Sequence, residues 1–167
     1  MQDVDALAAD VLDRAKRRGV TIVTAESCTA GLLAAAFSRA PGALRSFHGG
    51  FVAYTKDQKR ALGVPRDMLD SRGAVNEEVA LAMVKGALAR SPATVSVAIT
   101  GVAGPEPDED GNPIGLVYCA VAHRGDTLRT EAVRLECASK ERDAILREAM
   151  IRALILLRAF CFEEARV

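Results

Sequence analysis

The sequence predicts an α/β fold: a three-layer α/β/α sandwich with a mixed sheet, formed by one domain over residues 1–167. Three observations carry this. Helical and strand-like segments alternate through the first hundred residues, the pattern of parallel strands joined by crossover helices. Two strand-like runs then follow each other directly, which calls for an antiparallel hairpin. Finally, 50% of the residues are hydrophobic and only 4% aromatic, so the chain can fill a core with Ala, Val, Leu and Ile.

Each element has its own signal. Residues 3–18 set Val4, Leu7, Val11, Leu12 and Ala15 at helical spacing, with Gly19 as a stop. Residues 20–25 are a β-branched run and read as a strand. A polar turn, Glu26-Ser-Cys-Thr-Ala-Gly31, leads into a helix over 32–39 that ends before Pro41-Gly42. Residues 51–54 read as a second strand and 56–62 as a short helix closed by Gly63 and Pro65. Asn76 is a fitting N-cap for a helix over 77–89 with acids in its first turn. Residues 94–100 alternate Val and Ala with Thr and Ser, as a strand does. Residues 101–115, rich in Gly, Pro and acids, read as a long exposed loop of the kind that carries function. Strands over 116–122 and 127–135 flank the turn at Arg124-Gly-Asp126. A helix over 140–160 closes the chain, about 30 Å long at 1.5 Å per residue.

Composition narrows the function classes. The 22 basic and 22 acidic residues cancel, so no basic field for nucleic acid is expected. Cys28, Cys119, Cys137 and Cys161 form no CxxC pair, and His48 and His123 are isolated, so neither a metal site nor a cofactor is expected. The acidic, amphipathic N-terminus does not read as a signal peptide. The apolar stretch over 153–162 is broken by Arg158 and falls short of the roughly 20 residues that span a bilayer. A cytoplasmic protein with reduced thiols, no membrane partner and no nucleic-acid partner is the expectation. Apolar positions on the first and last helices serve either a homodimer or only the core.

The turn after the first strand is the most informative segment. A strand-to-helix turn aims backbone N–H groups and the positive end of the helix dipole at the space above it. A serine there sits near donors able to stabilise an oxyanion or cradle a phosphate. Equally, Ser27 and Thr29 can simply cap the helix. Cys28 is a rival nucleophile, but a reactive thiol needs a His or another source of lowered pKa, and it also reads as a packing residue. With only two isolated histidines, a lysine made neutral by burial is the other type of base.

The run Thr24-Ala-Glu-Ser-Cys-Thr-Ala-Gly31 resembles the signature of the CinA C-terminal-domain family. Four further segments agree in order: Gly50-Phe-Val-Ala-Tyr54 with Lys59 and Leu62-Gly-Val64; Gly73-Ala-Val75; Ile99-Thr-Gly-Val-Ala-Gly-Pro105 with Pro113-Ile-Gly115; and Arg142. The resemblance covers residues 5 to 160. It implies amidohydrolysis of nicotinamide mononucleotide to nicotinate mononucleotide and ammonia, without a metal, on a small-molecule pyridine nucleotide. It further implies Ser27 as nucleophile, Lys59 as general base and Tyr54 as a positioning or relaying group. Thr100 would be a substrate or oxyanion contact and Arg142 a phosphate anchor. The N–H groups around Ser27 to Ala30 would hold the oxyanion, Glu26, Thr29, Ala30 and Gly31 would belong to the substrate-binding set, and Gly101 would let backbone approach the ligand. Glu26 would either orient Lys59 or cap backbone donors.

Taken without the resemblance, Lys59 with Arg60 reads as a solvated helix face, Tyr54 as a half-buried strand aromatic, Thr100 as a strand-end residue, and Arg142 as a surface partner of Glu141 or Asp143. Three segments depart from the family pattern. Ala30 stands in place of a glycine, Lys140-Glu-Arg142 in place of Gly-Asp-Arg, and Gly115-Leu-Val117 in place of Gly-Thr-Val. These bear on substrate affinity more than on the chemistry. The alternative of a different class is a non-catalytic nucleotide-binding or interaction module linked to competence or DNA damage.

Overall fold

A computed structural model describes residues 3–162. The elements run α1 (Val4–Arg17), β1 (Ile22–Glu26), α2 (Leu32–Arg39), α3 (Ala43–Ser46), β2 (Phe47–Val52), α4 (Lys56–Leu62), α5 (Arg66–Arg72), α6 (Glu77–Ala89), β3 (Val95–Gly101), β4 (Leu116–His123), β5 (Arg129–Glu136) and α7 (Arg142–Phe162).

The five strands lie in the order β2-β1-β3-β4-β5. β1 is parallel to both β2 and β3, and β4 and β5 continue the sheet antiparallel. Alternate strand residues therefore face opposite layers. Ile22, Val97, Ile99, Val117, Cys119 and Val121 pack against α1, α2 and α7. Val23, Ala25, Ala98, Ala120 and Ala122 pack on the other face with residues of α4, α5 and α6. The mixed sheet between two helical layers is the sandwich that the alternating pattern predicts. Val11 and Leu12 of α1 and Leu154 and Leu157 of α7 are buried in the chain's own core.

Local chemistry sets the boundaries. Asp3 caps α1 by accepting from Asp5 N, and Asn76 caps α6 by accepting from Val79 N at 2.9 Å. β1 begins and ends later than the β-branched run suggests. Val20 N donates to Ala15 O and closes α1, while Glu26 completes the strand despite its charge. β2 runs Phe47–Val52, through a His-Gly-Gly stretch and short of Tyr54, where the sequence places a strand over 51–54. Its glycine is required: a Cβ at Gly50 would lie 2.3 Å from Thr24 Oγ1 on β1. α3 and α5, which periodicity does not reveal, are short connectors of 4 and 7 residues. Among the described residues, no helix is long and apolar enough to cross a membrane.

Candidate active site

The carboxyl ends of β1 and β3, the first turns of α4 and α7 and the loop over 102–115 enclose a pocket of about 450 Å³. An open parallel sheet binds ligands in this place, outside the carboxyl ends of its strands. Ser27, Cys28, Tyr54, Lys59, Gly101 and Arg142 line it, so the fold gathers residues that are far apart in the sequence.

Ser27 is the first residue past β1 and only 5% exposed. Its N–H donates to Ile99 O at 2.9 Å, which pins the turn to β3. Lys59 lies on α4, whose start is fixed by Thr55 accepting from Gln58 N and whose end is fixed at Gly63, φ +111°. Only 2% exposed, Lys59 donates from Nζ to Ser27 Oγ at 2.8 Å. Burial is the main cause that pulls its pKa down from 10.5 to about 8, with Lys56 acting in the same direction and Asp108 and Asp110 opposing. A value near 8 leaves about one amine in ten neutral at pH 7, poised to accept a proton. The solvated face that Lys59 presents in the bare sequence is therefore a buried one.

Cys28 also lines the pocket but is not activated. Burial pushes its thiol up to about 12, outweighing the pull of Lys59 and Arg142. Neither histidine lines the pocket.

Tyr54 stands at the mouth, 53% exposed. No direct hydrogen bond joins its hydroxyl to Ser27 or Lys59 among the described residues. Arg142, the first residue of α7, donates from Nη1 to Gly104 O at 3.0 Å, which sets its guanidinium at the rim. Lys140, a departure from the family pattern, donates to Ile114 O at 2.6 Å and tethers the same loop.

Several residues expected to touch substrate do other work. Glu26 does not reach Lys59; its carboxylate caps α2, accepting from Gly31 N, Leu33 N and Ala34 N. Thr29 is buried and donates to Glu26 Oε2 at 2.7 Å. Thr100 is fully buried and donates to Ala74 O, bracing the pocket wall from behind rather than facing a ligand. Gly101 lines the pocket, yet what forbids a side chain there is β4: a Cβ would lie 2.7 Å from Val117 Cγ2. Ala30 has φ +49°, so the methyl sits where glycine is the easy choice. Of the amides between Ser27 and Gly31, those of Ser27, Ala30 and Gly31 are engaged by Ile99 O, Ser27 O and Glu26. Of these turn residues, Ser27 and Cys28 line the pocket and Thr29 does not.

The long loop supplies groups that no motif reveals. Lys56 Nζ pairs with Glu109 Oε1 at 2.9 Å and Asp110 Oδ1 at 2.8 Å. Asp110 Oδ2 also accepts from Ala74 N at 3.0 Å. Burial works to raise Asp110, but these hydrogen bonds together hold it below the usual carboxylate range. Asp108 folds the loop on itself by accepting from Asp110 N, Asn112 N and Asn112 Nδ2. The acidic composition of residues 106–110 marks the loop without saying which acids are spent on structure.

Comparison with known proteins shows the family and the fold. The family model described as the CinA C-terminal domain matches residues 4–161. A Pseudomonas putida protein named nicotinamide-nucleotide amidohydrolase PncC is 39% identical over 155 residues, covering 92% of this chain and 94% of that protein. A CinA-like protein of Gemmatimonas aurantiaca is 38% identical over 160 residues. The chain spans 27% and 35% of the length of the relatives from Desulforudis audaxviator and Symbiobacterium thermophilum, both named as competence-damage inducible proteins. Among solved structures, the competence/damage inducible protein of Agrobacterium tumefaciens superposes with a TM-score of 0.87 at 36% identity, over 95% of this chain and 96% of that one. The competence damage-inducible protein A of Klebsiella pneumoniae superposes at 0.89 and 33% identity, over 98% of this chain and 100% of that one. The chain belongs to the family of the CinA C-terminal domain.

Proposed function

We propose that the chain is an amidohydrolase that converts nicotinamide mononucleotide and water to nicotinate mononucleotide and ammonia, with Ser27 as nucleophile and Lys59 as base. The 2.8 Å contact between a buried lysine and a buried serine at the pocket floor is the observation that carries this reading. A relative of nearly equal length named for the same activity supports the substrate.

Neutral Lys59 takes the Ser27 proton as Oγ attacks the carboxamide carbon. The carbonyl oxygen gains the negative charge, and backbone N–H groups of the turn after β1 stabilise it. The lysine ammonium then returns its proton to the departing nitrogen, and ammonia leaves an ester on Ser27. Water attacks that ester, giving its proton to Lys59. The serine leaves as the carboxylate forms, regaining its proton from the amine. Arg142 offers a fork of donors suited to a phosphate at the rim, and Tyr54 offers an aromatic face at the mouth.

Two readings compete with it. A cysteine amidase using Cys28 runs against a thiol held near 12, and a purely binding module leaves the Ser27–Lys59 pair without a task. The test is ammonia release by the purified protein from a small panel of carboxamide nucleotides and ribosides. Turnover of nicotinamide mononucleotide that is lost in Lys59→Met is the expected result. Tight binding without any ammonia would defeat the proposal.

A further inference from the structure

We propose that Glu26 is the positioning residue of the nucleophile turn, a role that rests on the reading of Ser27 as the nucleophile. Its carboxylate is fully buried, forms no ion pair among the described residues and does not line the pocket. Instead both oxygens are consumed by the turn itself. Oε2 accepts from Thr29 Oγ1 at 2.7 Å, Gly31 N at 3.1 Å and Leu33 N at 3.0 Å. Oε1 accepts from Ala34 N at 2.8 Å and from Thr24 Oγ1 at 3.0 Å.

These bonds fall on both sides of an unfavourable stretch of backbone. Ala30 and Gly31 are successive left-handed residues, with φ +49° and +97°. A left-handed alanine is held only where its surroundings over-determine it. Glu26 grips Thr29 before Ala30 and Gly31 after it, so the turn cannot relax toward an ordinary helix start. Relaxation would rotate the amides of Cys28 and Thr29 and carry Ser27 Oγ off Lys59 Nζ. The neighbouring strand accommodates the same network, since Gly50 leaves room for the Thr24 hydroxyl that donates to Oε1. A carboxylate already sits on the N-terminus of α2, so that helix end is spent on geometry and is closed to a substrate phosphate.

The test is steady-state ammonia release from nicotinamide mononucleotide by Glu26→Gln, with folding checked by circular dichroism. The amide that replaces one oxygen must point its N–H at a backbone N–H that cannot turn. The expected result is kcat lowered about a hundredfold with KM within about threefold, the signature of a misplaced nucleophile rather than a lost substrate contact. If Glu26→Gln does not fold, Thr29→Val decides: its kcat falls while KM holds, and Thr29→Ser, which restores the hydroxyl, restores kcat. An unchanged kcat in Glu26→Gln, or equal loss in Thr29→Val and Thr29→Ser, overturns the role and leaves the amidase reading standing. A wild type that releases no ammonia defeats that reading instead. Solved structures then judge Glu26: a Gln variant with Ser27 Oγ still 2.8 Å from Lys59 Nζ overturns it.

Discussion

Lys59 Nζ donates to Ser27 Oγ across 2.8 Å, joining the end of β1 to a helix 32 residues downstream, with both side chains almost fully buried at the pocket floor. The contact ties stability to pH as well as chemistry to pH. Lys59 titrates near 8 in the fold and near 10.5 when solvated. The unfolded chain thus binds more protons between these values, and stability rises as pH climbs through that window. Below pH 8 the fold bears the full cost of a buried ammonium, about 3 kcal/mol from the size of the shift.

Lys59→Met should therefore abolish ammonia release and yet raise the melting temperature at pH 7. The gain is moderated by the lost hydrogen bond and should shrink toward pH 10. Thermal melts at several pH values check this; a variant less stable at pH 7 than at pH 10, relative to wild type, contradicts it. In the wild type, kcat/KM should rise with pH to a plateau above about 8, because the neutral amine is the active form.

Asp110→Asn removes one of the two negative partners of Lys56, leaving Glu109, and weakens the latch on Ala74. The loss of Asp110's charge and the less fully compensated positive charge of Lys56 both push Lys59 lower. The rising limb of the pH–rate profile should move to lower pH, and KM should increase as the loop over 102–115 loosens. A limb that moves to higher pH would show the electrostatics to be wrong.

Arg142→Ala should raise KM for nicotinamide mononucleotide about tenfold or more, the size of one lost charge-assisted hydrogen bond. The corresponding riboside, without its phosphate, should be nearly indifferent. Equal losses on both substrates would mean that Arg142 acts through Gly104 O and the loop instead.

Ala30→Gly should stabilise the protein by about 0.5 kcal/mol. The left-handed alanine costs roughly 1–2 kcal/mol, and glycine's extra freedom in the unfolded chain returns part of that. A rise in the urea midpoint with an unchanged slope is the expected readout; a fall would mean that the methyl packs against something useful.

Periodicity exposed α1, whose buried face runs through Ala8, Val11, Leu12 and Ala15, and the Asn76 cap exposed α6; β3 was legible from its run of Val and Ala, although it is buried on both faces. Periodicity failed where partners decide. His48-Gly49-Gly50 is a strand because Gly50 must clear Thr24, and neither residue announces the other. The short helix α5 has too few turns to show a stripe. At the site, Ser27 was legible as a turn residue above a helix, but Lys59 beside Arg60 looked solvated. Its burial is created by Ser27 and a loop over forty positions downstream, which local pattern cannot report. Of the two roles open to Glu26 the capping one holds, on Gly31 N, while Thr100 was read as a ligand contact because Ala74 O, its real partner, lies on another segment.

The measurement that bears most directly on the serine assignment compares ammonia release from nicotinamide mononucleotide by Ser27→Ala and Cys28→Ala, both shown to be folded. Ser27→Ala should fall by about four orders of magnitude or more while Cys28→Ala keeps most of the wild-type rate. The reverse pattern, an active Ser27→Ala beside an inert Cys28→Ala, would contradict it.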